Sequence, residues 1–147
     1  MDEPRVVSTL NNLIETCRDG EQGFKKAAEH LRDPQIKSLF SEFARERGGF
    51  ASELEQEVRR LGGDPPQTGS VTGAMHRGWM GLKDAVTGHD DASIIAEAER
   101  GEDLAVDAYD AAARQSLPAG TDVVVHRQHE KVKQVHDRVH ALEEQHK

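Results

Sequence analysis

The sequence predicts an all-α fold, a four-helix bundle of two antiparallel hairpins joined by a long crossover that carries a short helix of its own. Three observations predict it. Apolar residues recur at three- and four-residue spacing through four long stretches, the period of an amphipathic helix. Alternating β-branched residues are nearly absent, and the single valine run, Val123 to Val125, stands too close to a helix start to make a strand. Proline and most of the glycine fall at the joints between stretches, where helices must stop.

The first helix is expected to begin at a hydroxyl cap, Ser8 or Thr9, and to run to about Leu31, with Leu10, Leu13, Ile14, Cys17, Phe24, Ala28 and Leu31 on one face. Gly20 and Gly23 each weaken it by about 1 kcal/mol relative to alanine, which points to a neighbour approaching closely. Asp33-Pro34 is a stop followed by a fresh start, with aspartate as cap and proline at the first helical position. The second helix then runs from Pro34 to about Leu61, with Ile36, Phe40, Phe43, Phe50, Leu54 and Val58 inward, and Gly62-Gly63 end it. So short a turn makes the two helices an antiparallel hairpin.

Between about residues 62 and 91 the composition shifts to glycine, proline and threonine around an amphipathic segment, read as a crossover whose own helix spans about Ser70 to Val86. Within it Trp79 is the expected anchor to the rest of the fold, with Val71, Ala74, Met75 and Gly78 on the same face. Asp90-Asp91 cap a third long helix, about Ala92 to Gln115, and Thr121 or Asp122 caps a fourth that runs to about Glu144. A lengthwise crossover makes the second and third long helices run parallel. The whole of residues 1–147 is expected to form one domain around one core.

A formal net charge of −8 argues against nucleic-acid and anionic-membrane partners, both of which reward a basic face. No apolar run approaches the roughly 20 residues of a membrane span, and the start Met-Asp-Glu-Pro-Arg lacks the apolar core of a signal peptide, so a cytoplasmic protein is expected. The lone Cys17 excludes an internal disulfide and reads as a small core residue. Tyr109, the only tyrosine, reads as a core residue whose hydroxyl finds a neighbour.

Turning each helix at 100° per residue shows which charges fall inside an apolar stripe. Arg47 lies at the centre of its stripe, Glu102 lies between Ala98, Ala105 and Tyr109, and Glu21 lies one turn from Cys17 and Phe24. Glu46 and Glu99 sit at stripe margins, whereas Glu97, Asp103 and Asp107 are expected to face water. Five of the eight histidines fall in the last helix, and His136 is the one expected to pack. His129, His136 and His140 share an edge at helical spacing, where they are either solvated or a surface transition-metal site.

Two readings of the inward charges stand side by side. In one, Glu21, Arg47, Glu102 and His136 form a buried ionic network, because an interior charge is tolerated only when paired. In the other, Glu21, Glu46, Glu99, Glu102 and His136 supply carboxylate and imidazole ligands for iron or manganese. The full di-metal signature needs Glu-x-x-His twice, and here Gly49 follows Glu46 and Lys133 precedes His136 at the required spacing. Arg47 would also repel a metal from the core.

The segments Leu10-Asn11-Asn12-Leu13-Ile14-Glu15, Trp79-Met80-Gly81-Leu82-Lys83 with Thr87-Gly88, Glu99-Arg100-Gly101-Glu102-Asp103 with Tyr109, and Lys133-Gln134-Val135-His136-Asp137-Arg138 together resemble an uncharacterised bacterial family within the ferritin-like superfamily. The resemblance implies a ferritin-like four-helix bundle of unknown function. It also matches Glu46, Glu99 and His136 to positions that hold di-iron ligands in well-studied members, with Gly49 and Lys133 departing from the pattern. The leading expectation is a non-catalytic, structural or stress-associated protein without cofactor or identifiable small-molecule substrate, assembled as a homodimer. Its rivals are an iron or manganese oxidoreductase or storage protein, and a protein–protein interaction module presenting the segment around Trp79.

Overall fold

The computed structural model describes residues 3–66, 79–88 and 90–146, and these form five helices and no strand. Four are long: α1 (Glu3–His30), α2 (Pro34–Arg60), α4 (Asp91–Ala113) and α5 (Thr121–Gln145); α3 (Leu82–Thr87) is a short piece before α4. The expected crossover helix coincides with α3 only from Leu82 to Val86, and its first part, including Val71, Ala74, Met75 and Gly78, lies outside the described residues.

α1 starts earlier than the hydroxyl cap predicts. Val6 is buried and extends the apolar stripe by a turn, and the Thr9 hydroxyl lies 3.1 Å from the carbonyl of Arg5, turned back along a helix already running. The Asp33 cap forms as expected, its carboxylate accepting from the backbone N–H groups of Gln35 and Ile36. At the other end of α2, Gly62 adopts φ 84°, and Gly63 N–H reaches back to the carbonyl of Val58, closing the helix. Asp90 caps α4 through Ala92 N–H. Neither expected residue caps α5. Gly120 holds that position, while the Thr121 hydroxyl donates to Glu57 Oε1 at 2.8 Å and accepts from Arg60 Nη2 at 2.9 Å, tying α5 to the end of α2 instead.

Contacts between residues distant in sequence fix how the long helices run. Arg18 meets Glu55 and Asn11 meets the carbonyl of Asp64, so α1 and α2 are antiparallel. Asp110 meets His129 and Glu99 meets His140, so α4 and α5 are antiparallel too. The two hairpins join with α4 against α1 and α5 against α2, while α2 and α4 lie diagonally and run parallel. At one end Asp91, the first residue of α4, accepts from the backbone N–H groups of Arg32 and Asp33 in the α1–α2 turn.

The interior consists of two apolar clusters. One gathers Phe24, Phe40, Trp79, Ile94, Ile95 and Val139, and the other Leu10, Ile14, Leu54, Val58, Tyr109 and Val132. Ala44 and Ala98 close the first, and Phe50 and Ala105 open the second, so the level of residues 47 and 102 falls between them. Trp79 is 2% exposed and is wedged between α1 and α4 over Gly23 and Gly101, where a Cβ on either glycine would run into the indole. That wedge is the close approach foreshadowed by Gly23, and it makes Trp79 an anchor rather than a presented surface.

Candidate functional site

At the level between the two clusters, α2 and α4 each turn one charge inward. Arg47 Nη2 donates to Glu102 Oε2 at 2.6 Å, and the side chains are 1% and 0% exposed. The arginine spans the interior diagonal, with its guanidinium carbon 5.7 Å from the centre of the Phe24 ring, a cation–π contact in a dry setting. Its side chain runs past Gly20 of α1, where an added Cβ would stand 3.2 Å from Nη1. A guanidinium keeps its proton at any accessible pH, so Arg47 brings a fixed positive charge to the Glu102 carboxyl. Burial works against the charge on both groups. For Arg47 the adjacent Glu102 more than offsets it; for Glu102 burial prevails and holds the carboxyl above the usual carboxylate range, with Arg47 pulling the other way. Arg47 Nε and Glu102 Oε1 are buried without a hydrogen-bond partner.

Beside the pair runs a buried hydrogen-bond chain. Tyr109 donates its hydroxyl proton to Gln128 Oε1 at 2.7 Å, which leaves the Cys17 thiol as donor to the tyrosine oxygen at 3.1 Å. Gln128 then donates from Nε2 to Glu53 Oε1 at 2.8 Å. Burial pushes the Cys17 thiol up to about 11, against the pull of Arg47, so it is an inert structural thiol near neutral pH. Burial likewise lifts the Tyr109 phenol well above its ordinary value.

A third group lines the outer seam of α4 and α5. Because the helices are antiparallel and acidic positions on α4 meet histidines on α5 turn by turn, three pairs form in succession. His129 lies 2.6 Å from Asp110, His136 lies 2.6 Å from Asp103, and His140 Nδ1 lies 2.7 Å from Glu99 Oε1. His129, stacked on Tyr109 with ring centres 6.3 Å apart, is the most enclosed of the three, at 15% exposure against 26% for His136. Sequence periodicity singles out His136 instead. Partial burial disfavours the charged form of His136, but hydrogen bonds to Asp103 and Asp137 leave its affinity for a proton above the ordinary histidine value.

The structure therefore divides the residues that the sequence grouped. Arg47 and Glu102 meet directly, whereas His136 hydrogen-bonds Asp103 and Glu21 pairs with Arg18 at 2.9 Å while lying over Gly48. Glu46 lines a groove of about 270 Å³ between α2 and α5, along with Phe43, Val135, Lys131 and Arg138. Glu97, expected to face water, is buried, because the segment bearing Gly81 folds over it and the Gly81 N–H donates to its carboxylate. Asp103 and Asp107 do face water.

These residues do not fit a di-metal centre in the core. The guanidinium of Arg47 holds one oxygen of Glu102, and a fixed positive charge at hydrogen-bond distance from a ligand atom opposes a divalent ion there. Of the five candidate ligands, Glu99 and His136 lie with Asp103 close enough to share an ion on the outer seam, whereas Glu21, Glu46 and Glu102 belong to no such set among the described residues.

Compared with known proteins, residues 5–115 match the family described as Domain of unknown function (DUF2383). No curated protein matches the chain.

Proposed function

The chain belongs to the DUF2383 family, and from that premise we propose a non-catalytic, ferritin-like four-helix bundle with a structural or stress-associated role, in which an ion pair occupies the place of a di-metal centre. The observation that carries the reading is the contact of Arg47 with Glu102, both without solvent access. A carboxylate whose charge is offset by a guanidinium is a weaker anionic ligand, and a site whose central charge is arginine lacks the electrostatics that retain a divalent ion. The inert, buried Cys17 thiol supports the same reading. The acidic balance of the chain supports a protein without polyanionic partners.

Elemental analysis of protein purified without chelators tests the proposal. The expected result is iron and manganese far below one equivalent per chain, with Glu102→Ala losing stability and no metal. Two equivalents of either metal in the wild type, lost in Glu102→Ala, would overturn it.

A further inference from the structure

The seam between α2 and α5 is closed at one end and open farther along. Where α2 ends and α5 begins, Glu53 meets Arg127 and Gln128, and Thr121 meets Glu57 and Arg60. Beyond these ties the helices part into the groove of about 270 Å³, where Leu39 and Phe43 are only partly covered. The α2 wall of the groove carries Glu42 and Glu46, and the α5 wall carries Lys131 and Arg138. Among the described residues, none of these four charges makes an ion pair within the chain. We infer that a second copy of the chain docks on this groove, related to the first by a two-fold axis along the bundle, so that the acidic wall of each copy meets the basic wall of the other.

The heights of the charges select that axis. Glu53 meets Gln128 and Glu57 meets Thr121, so α2 and α5 run antiparallel. Counting back along both helices from the first contact, Glu46 stands level with residue 135 and Glu42 with residue 139, beside Arg138. A two-fold axis parallel to the bundle keeps every residue at its height and sets each α2 against the second copy's α5. Glu42 and Glu46 then face Lys131 and Arg138 of the second copy, and the same pairing repeats on the other side of the axis. An axis across the bundle would set α2 on α2 and α5 on α5, with acid against acid and base against base.

Size and composition suit the same occupant. The 25 residues of α5 span roughly 37 Å, and two helices each about 10 Å wide present a face on the order of 750 Å², close to the roughly 800 Å² per partner of a stable interface. Leu39 and Phe43 give that face an apolar centre, and the unpaired charges give it a rim. A helix of uniform charge would be attracted by one wall and repelled by the other, whereas a second copy carries both charges at the matching spacing. The interface lies outside the core and does not rest on the role proposed for the Arg47–Glu102 pair.

Sedimentation velocity of the full chain is the test. A dimer is expected at about 100 µM, weakening as sodium chloride rises from about 0.05 to 0.5 M. Reversing one wall, as Glu42→Lys with Glu46→Lys, or the other, as Lys131→Glu with Arg138→Glu, is expected to weaken self-association at least about tenfold. An equimolar mixture of the two reversed chains is expected to associate within about threefold of the wild type, because each altered wall then faces its opposite. If circular dichroism shows helix lost in a reversal, Glu42→Gln with Glu46→Gln takes its place and is expected to weaken association at least about threefold. A wild type monomeric at about 100 µM, wall variants that associate as the wild type does, or reversed chains that stay apart when mixed would overturn the proposal, and the first result would leave the groove to a helix of another protein.

Discussion

A guanidinium cannot shed its charge to suit a dry interior, so Arg47 depends on Glu102 and Glu102 on Arg47. Removing one partner strands the other. Arg47→Met is expected to lower the unfolding free energy by about 3–5 kcal/mol, because Glu102 would remain buried without its counter-ion. Replacing both, as Arg47→Met with Glu102→Leu, is expected to bring stability back to within about 2 kcal/mol of the wild type or above it. Urea unfolding of the single and double variants decides the matter, and a double variant as unstable as the single would show that the loss comes from packing instead. Both residues were legible in the sequence, since a fixed step of 100° placed them in the middle of apolar stripes. Their neighbours were less so. His136 and Asp103 find each other only because α4 and α5 lie antiparallel at one axial offset, and no periodicity within a single helix encodes an offset between two.

Helix propensity alone would ask for alanine at every helical glycine, by about 1 kcal/mol each. Packing overrules it at Gly23 and Gly101, where the indole of Trp79 fills the space a methyl group would need. Gly23→Ala and Gly101→Ala are therefore each expected to destabilise by about 1–3 kcal/mol through displacement of the wedge. Gly49→Ala, on an exposed face with open space around it, is expected to stabilise by about 0.5–1 kcal/mol. Thermal unfolding gives both signs, and the emission of Trp79, the chain's only tryptophan, reports whether the wedge has moved. The elements themselves could be read from stripes and stops, as at Asp33-Pro34 and Gly62. The start of α1 could not, because Ser8 and Thr9 look like caps whether or not Val6 continues the stripe beyond them. Glu97 defeated the helical wheel for a related reason: what buries it is the segment around Gly81, and a wheel represents only its own helix.

The two hairpins are also tied where α2 ends and α5 begins, through Glu57, Arg60 and Thr121. Partial burial disfavours the charge on Glu57, but the hydrogen bonds from Arg60 and Thr121 hold its carboxyl below the ordinary value of 4.5. A carboxylate lowered in the folded state adds stability that is complete above its unfolded value and disappears as pH falls through its folded value. Glu57→Gln is accordingly expected to be less stable than the wild type at pH 7, with the gap closing toward about pH 3. Denaturant unfolding at the two pH values measures it, and a gap unchanged by acid would assign the effect to shape rather than charge.

Two apolar clusters separated by one charged level have a further consequence. Aliphatic surfaces are nearly indifferent to sliding: were one hairpin displaced along the other by a helical turn, about 5.4 Å, leucine and valine would still meet leucine and valine. The ion pair has no such tolerance, since the same displacement would press Arg47 and Glu102 separately into hydrocarbon. The pair thus acts as tooth and notch, alongside the Trp79 wedge over Gly23 and Gly101 and the hydrogen bonds of Tyr109 and Gln128, and together they make the two hairpins mesh at a single setting.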